Sequence, residues 1–137
     1  MATTITFTMI KPDATAAGNA GNILQQIEAA GFKIVALKMT RLSREQAAEF
    51  YGIHKERPFF GSLVDFMSSG QLIAAVLQKE SAVADFRTLI GSTDPAKADV
   101  GTIRQRFASS LEFNAVHGSD SDENAAIEAK FFFPDFN

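Results

Sequence analysis

Leu72-Ile73-Ala74-Ala75-Val76-Leu77 is an apolar run with no alternation of polar residues. A run of this length reads as a central strand, since a strand paired on both edges and covered on both faces has no polar side to show. Just before it, Ser62 to about Met67 has the spacing of a short helix ending at Ser68-Ser69-Gly70. Just after it, Val83, Phe86, Leu89 and Ile90 recur at helical intervals up to Gly91. The central strand is therefore flanked by helices on both sides in sequence.

Working outward, Ile5 to Ile10 alternates Ile, Thr, Phe, Thr before losing the pattern at Met9-Ile10, as a strand does on entering an interior. It stops at Lys11-Pro12-Asp13, where proline ends the ladder and holds Lys11 extended at the strand's carboxyl end. A loop through Gly18 and Gly21 leads to a helix marked by Ile23, Leu24, Ile27 and Ala30, with Gly31 as its left-handed cap. Phe32 to Met39 is a second strand. Ser43 and Gln46 form a capping box that opens a helix running to about Tyr51. Residues 54–61 read as a loop with two adjacent aromatics, Phe59 and Phe60, which cannot both face the core equally well. On the far side, Ser92 to Gly101 is a long surface loop, Thr102 to Phe107 a short helix, and Ala115 to His117 a short strand. Asp122 and Glu123 then fall in the first turn of a final helix to about Phe131, where carboxylates favour the helix dipole. Strands interleaved with helices in this order predict an α+β fold: a ferredoxin-like, antiparallel four-stranded sheet with helices packed on it.

A chain of 137 residues can bury a real core without staples, and it has no cysteine for disulfides, thiolate zinc or thiol catalysis. A cytoplasmic location is expected. Met1-Ala2-Thr3-Thr4 lacks the pattern of a targeting segment, and no apolar stretch is long enough to span a bilayer. The net charge of −3 argues against a dedicated nucleic-acid partner, which needs a broad basic surface. A small anion held by a few converging cations is compatible with that charge.

One of the two histidines lies in Asn114-Ala115-Val116-His117-Gly118-Ser119-Asp120-Ser121, between a strand end and a helix start at Ser119 or Ser121. Imidazole is substantially uncharged near neutral pH and can attack phosphorus without a strong base. Gly118 removes bulk beside the ring, and the helix start offers backbone N–H groups to an anion. Neither Gly-x-x-x-x-Gly-Lys-Ser/Thr nor Gly-x-Gly-x-x-Gly occurs, so bound phosphates would have to be held by side chains.

Four blocks in order carry a resemblance: Thr8-Met9-Ile10-Lys11-Pro12-Asp13-Ala14, Glu56-Arg57-Pro58-Phe59-Phe60, Gly101-Thr102-Ile103-Arg104, and the stretch 114–121. Together they closely resemble the nucleoside diphosphate kinases, across essentially the whole chain as a single domain, 1–137. The resemblance implies reversible transfer of the γ-phosphoryl of ATP or another nucleoside triphosphate to a nucleoside diphosphate through a phosphohistidine, with ping-pong kinetics and broad base tolerance. It makes His117 the nucleophile, attacking through Nδ1, though spacing alone does not choose between the ring nitrogens. It makes Lys11, Arg87, Thr93 and Arg104 phosphate ligands, Phe59 the base platform and Asn114 a sugar contact. Glu128 and Ser119 would orient the histidine, and Tyr51 would lie near the phosphates. Mg2+ would be held mainly by phosphates and water, with Asp120 near one of those waters. A homo-oligomer, hexamer or tetramer, is also implied. A runner-up from another class is a non-catalytic ferredoxin-like nucleotide-binding or regulatory module that keeps the pocket without the chemistry.

The remaining side chains have plainer readings. Phe60 is assigned to the core, His54 to the surface, and Glu56 with Arg57 to a local ion pair or loop anchor. Phe131, Phe132, Phe133 and Phe136 are assigned to the core or to subunit contacts. Gly61-Ser62, Asp94 and Val100 depart from common family patterns, all in loops. Val100 in place of proline leaves more freedom in the unfolded chain, so a less rigid assembly is expected.

Overall fold

The strand read as central, β3 at Leu72–Gln78, is buried at every position except its last, Gln78. In the computed structural model, which describes residues 4–136 apart from the side chain of Ile53, it sits second in a four-stranded sheet. Residues 1–3, part of the stretch expected to lack a targeting segment, and Asn137 lie outside the described residues. With β1 at Ile5–Ile10, β2 at Lys33–Thr40 and β4 at Val116–Gly118, the sheet order is β2-β3-β1-β4, every pairing antiparallel. This is the ferredoxin-like arrangement expected from the sequence.

The lack of alternation in β3 has a direct cause: each face of the sheet carries its own core. Ile73, Ala75 and Leu77 pack under α2 (Ala20–Ala29), α5 (Ala82–Ile90) and α6 (Ile103–Phe107), through Ile23, Ile27, Phe86, Ile90 and Ile103. Leu72, Ala74 and Val76 face the opposite way, under α3 (Arg44–Phe50), α4 (Phe60–Met67) and α7 (Asp122–Phe132), with Ala47, Met67, Ala129 and Phe132. Phe132 stacks on Phe7 at 5.2 Å between ring centroids, and Phe131, Phe133 and Phe136 pack around the same core. Burying a side chain the size of Phe or Leu stabilises by about 1.5–3 kcal/mol, so the two apolar layers supply the main drive for the sheet.

Local signals set most boundaries. The Ser43 capping box is complete: its hydroxyl accepts the Gln46 N–H while Gln46 Oε1 accepts the Ser43 N–H. Gly31 and Gly91 both hold positive φ at helix ends. A Cβ on Gly91 would also fall 2.6 Å from Thr102 Oγ1, so that corner needs glycine twice over.

Two readings need correction. Pro12 does not merely end the strand; it starts α1 (Pro12–Ala16), its fixed φ suiting the first helical position and its missing N–H costing nothing there. Likewise α4 begins at Phe60 rather than Ser62, which turns Phe60 onto the second core.

Candidate active site

Two neighbouring strands of the sheet deliver the site. β4 pairs with β1 so that His117 lies opposite Met9, and Thr8 Oγ1 donates to the His117 carbonyl at 2.7 Å. The strand is fixed one residue later by Ser119, whose N–H donates to the Phe7 carbonyl and whose hydroxyl accepts the Phe7 N–H. That same hydroxyl donates to Glu128 Oε1 at 2.7 Å, and Glu128 Oε1 lies 2.9 Å from His117 Nε2. Glu128 projects from α7, which begins after Ser121; the Ser121 hydroxyl caps it by accepting the Asn124 N–H. Helix and strand thus meet where a carboxylate can hold one ring nitrogen. Nε2 is its donor and Nδ1 has no protein partner among the described residues. The ring keeps 19% of its side-chain surface exposed and packs its sides on Phe50 and Phe7, at 5.6 and 6.0 Å between centroids.

His117 opens into a cleft of about 750 Å³. Lys11, Arg87 and Arg104 line it, so the three cations converge as expected. Thr93, Phe59, Asn114, Tyr51 and Glu128 line it too, leaving only Ser119 behind the wall, fully buried. Lys11 is buried at the end of β1 and donates from Nζ to Asn114 Oδ1 at 2.9 Å. Burial, aided by the Arg104 charge, pushes the Lys11 ammonium down to about 8. Arg104 is held by two carbonyls, Gly91 O at 3.1 Å and Val116 O at 2.9 Å. Burial, with Arg87 beside it, lowers Arg104 to about 10, so it remains charged at neutral pH. The Tyr51 hydroxyl is raised by burial and by Glu128, and it has no protein partner. A nearby phosphate would supply one.

The cleft also contains residues that the sequence reading missed or assigned elsewhere. His54 is half-buried rather than a free surface residue, and its ring lies 5.5 Å from that of Phe59. Phe59 itself is 48% exposed, which suits a face kept for a ligand. Leu63, Leu111 and Glu112 line the cleft, and Ser62 donates to Glu112 across its rim. These are lone residue types brought in by tertiary packing, with no local pattern to announce them. Glu56 and Arg57 are exposed and form no ion pair among the described residues, so the expected local pair is not made.

Gly118 serves a different neighbour from the one expected. A Cβ there would lie 2.9 Å from Ile90 Cδ1 and 3.1 Å from Phe86, so it is α5, not the imidazole, that excludes a side chain. The start of α7 is taken by its own residues: Ser121 caps it and Asp122 and Glu123 fill its first turn, which disfavours a bound anion there. That leaves Lys11, Arg87 and Arg104 as the groups lining the cleft that could hold an anion.

A four-stranded α+β fold that brings three cations and one histidine into a single cleft is the kind of site a phosphotransferase needs. Residues 4–137 match the family described as nucleoside diphosphate kinase. The chain is 59% identical over 128 residues to the nucleoside diphosphate kinase of Chlorobium limicola, covering 93% of this chain and 91% of that one. It is 59% identical over 133 residues to that of Flavobacterium psychrophilum, covering 97% and 96%. Among solved structures, the Aquifex aeolicus nucleoside diphosphate kinase superposes with a TM-score of 0.92 at 46% identity, over 95% of this chain and 94% of that one. A halophilic nucleoside diphosphate kinase from Halobacterium salinarum in complex with CDP gives 0.91 at 38% identity, over 96% and 88%. The chain belongs to the nucleoside diphosphate kinase family.

Proposed function

We propose that this chain, acting as one domain across 1–137, moves the γ-phosphoryl of ATP or another nucleoside triphosphate onto a nucleoside diphosphate, with His117 carrying it in between. The observation that bears the reading is Glu128 occupying Nε2 of His117 while Nδ1 has no protein partner in a cleft lined by three cations. The Nδ1 lone pair attacks the γ-phosphorus, the N–P bond forms as the bond to the β,γ-bridging oxygen breaks, and the nucleoside diphosphate leaves with that oxygen. The ring's new positive charge is met by Glu128 through the Nε2–H. A second nucleoside diphosphate then reverses the step from the same pocket, which is ping-pong kinetics.

Phosphoryl transfer asks the protein for in-line positioning and for charge on the equatorial oxygens. Lys11, Arg87 and Arg104 supply the charge, with Thr93 and the unpartnered Tyr51 hydroxyl as further donors. Phe59 stacks on the base, which tolerates any base because each has a π-face, and Asn114 contacts the sugar.

Kinases of this family generally use a divalent cation, and we assign Mg2+. Among the described residues no group of three or more His, Asp or Glu side chains is gathered as a metal cluster. The donor set fits an ion held by the nucleotide's own phosphates. Asp120, kept charged by the Asn124 amide that donates to it at 2.7 Å, lies at the cleft and would hold one of the ion's waters. When bound, the ion neutralises charge on the phosphate oxygens.

Among the described residues no helix is long and apolar enough to cross a membrane. A cytoplasmic location is part of the proposal, and a chain without cysteine is compatible with it. Leu37 and Met39, half or more exposed on the edge strand β2, support a homo-oligomer, hexamer or tetramer, in which that edge meets a second copy. Light scattering on the eluting protein measures the subunit number.

Incubation with γ-labelled ATP tests the chemistry. The chain is expected to acquire acid-labile, base-stable label, lost in His117→Ala with ADP binding retained. ADP binding without label in the unmodified chain would instead mark a nucleotide-binding module, and label persisting in His117→Ala would remove His117 from its role.

A further inference from the structure

Ala115 is the one fully buried non-glycine residue, among those described, with φ in the left-handed region, at +72°. The Val116 N–H donates across it to the Asn114 carbonyl at 2.8 Å, so residues 114–116 form a three-residue γ-turn of the rarer, strained hand. Alanine gains nothing locally from that conformation, and the surroundings must impose it.

Both peptide groups of Ala115 are held from one place, the start of α1. The Lys11 N–H donates to the Ala115 carbonyl at 2.8 Å, and the Ala115 N–H donates to Asp13 Oδ2 at 3.1 Å. Asp13 lies in the first turn of α1, which Pro12 fixes at its first position. The other Asp13 oxygen is buried without a partner, and burial raises the carboxyl, an effect opposed by the backbone N–H groups it accepts. On either side of the clamped residue stand working parts of the cleft. Asn114 accepts Lys11 Nζ, the Val116 carbonyl accepts Arg104, and His117 follows.

We propose that Asp13 is a positioning residue for phosphoryl transfer: its carboxylate holds the strained turn at Ala115, and through that turn the alignment of His117 with Lys11, Asn114 and Arg104. The proposal rests on His117 being the nucleophile. Nothing about it requires Asp13 to touch nucleotide. Backbone misplacement of about 1 Å at a reacting group can slow a reaction on the order of 100-fold, so a short tether two residues from the nucleophile is worth having.

Four proteins test this: the unmodified chain, Asp13→Asn, Asp13→Ala, and Asp13→Ala combined with Ala115→Gly. Each is measured for the single-turnover rate of His117 labelling at saturating ATP, for ADP affinity and for thermal midpoint. Asp13→Ala is expected to slow labelling about 10- to 100-fold with at most about a threefold change in ADP affinity. Asp13→Asn, which keeps an acceptor oxygen, stays within about threefold of the unmodified rate. Adding Ala115→Gly restores most of the rate lost by Asp13→Ala, because glycine takes positive φ freely and needs no clamp. If Asp13→Ala does not fold, the same suppression is read as recovery of folded, labelled protein. Native labelling by Asp13→Ala, or a defect that Ala115→Gly does not suppress, overturns the proposal. Slow labelling by Asp13→Asn as well would assign Asp13 to charge rather than tethering and overturns it too. An unmodified chain that takes no label at His117 instead brings down the assignment on which the proposal rests.

Discussion

Glu128 Oε1 stands 2.9 Å from His117 Nε2 and is itself held at 2.7 Å by the Ser119 hydroxyl, a relay that begins at the Phe7 N–H. The arrangement favours the proton on Nε2 and turns the ring, and in the proposed reaction it would meet the charge that develops on phosphorylation. Glu128→Ala should therefore slow transfer while leaving nucleotide affinity nearly intact. A hydrogen bond to a charged group contributes about 1.5–3 kcal/mol, so kcat is expected to fall about 10- to 150-fold. Steady-state kinetics with separate kcat and KM values check this, and a rise in KM at constant kcat would contradict it.

Lys11 gives a pH dependence with two opposite signs. Its ammonium is pushed down to about 8 in the folded chain by burial. Between pH 8 and the ordinary lysine range the unfolded chain binds the proton and the folded chain does not, so the lysine's destabilising contribution is relieved as pH rises through that window. Phosphate binding behaves the other way, because the neutral amine no longer attracts an anion. ADP affinity measured by calorimetry should weaken above about pH 8, by up to about tenfold per pH unit, and Lys11→Arg should flatten the curve because guanidinium does not titrate there. Parallel curves for the two proteins would refute the assignment.

Gly118 packs where α5 comes closest to the sheet. Gly118→Ala forces a Cβ to within 2.9 Å of Ile90 Cδ1, next to the Phe86 ring. Overpacking of this kind costs about 1–3 kcal/mol. A lower denaturation midpoint at unchanged denaturant slope is expected, together with slower labelling of the adjacent histidine. Ile90→Val in the same chain should recover part of the stability, and no recovery would point to backbone strain rather than crowding.

How much of this could be read in advance follows the range of each signal. The Ser43–Gln46 box is complete within four residues, and the apolar run at 72–77 declares burial on both faces by itself, so both were legible. Pro12 was ambiguous because proline ends strands and starts helices alike, and only the packing of α1 decides between them. The family resemblance placed nine residues that line the cleft, and Ser119 behind them, because its blocks run in register along the whole chain. His54, Leu63 and Leu111 have no such motif, and their place depends on how α4 and residues 108–113 fold over the opening. The turn at Ala115 was invisible, since alanine at positive φ contradicts the local preference that sequence reading uses.

Phe59 offers an exposed ring steadied by His54 at 5.5 Å. Phe59→Ala should weaken nucleotide binding by about 1–3 kcal/mol, the range for one base stacked on one aromatic ring, with similar losses for purine and pyrimidine diphosphates. Dissociation constants for ADP, GDP and CDP provide the check. A loss confined to purines would mean that base edges are read by hydrogen bonds from the cleft wall.

Arg104 does two jobs that a single truncation would confuse. Its guanidinium spends one N–H on the Gly91 carbonyl and one on the Val116 carbonyl, which fixes its plane at the cleft wall near the Lys11 charge, while its Nε is buried without a protein partner. Arg104→Ala should remove about 2–4 kcal/mol of transition-state stabilisation, the range for one preorganised donor, and also strand two carbonyls. Arg104→Lys keeps the charge but lacks the planar fork that reaches both carbonyls at once. If the rigid hold matters as much as the charge, the lysine variant recovers less than half of the logarithmic loss in kcat/KM and melts nearly as low as the alanine variant. Full recovery of kcat/KM by lysine would show that charge alone suffices, and would make the two carbonyl contacts a matter of stability only.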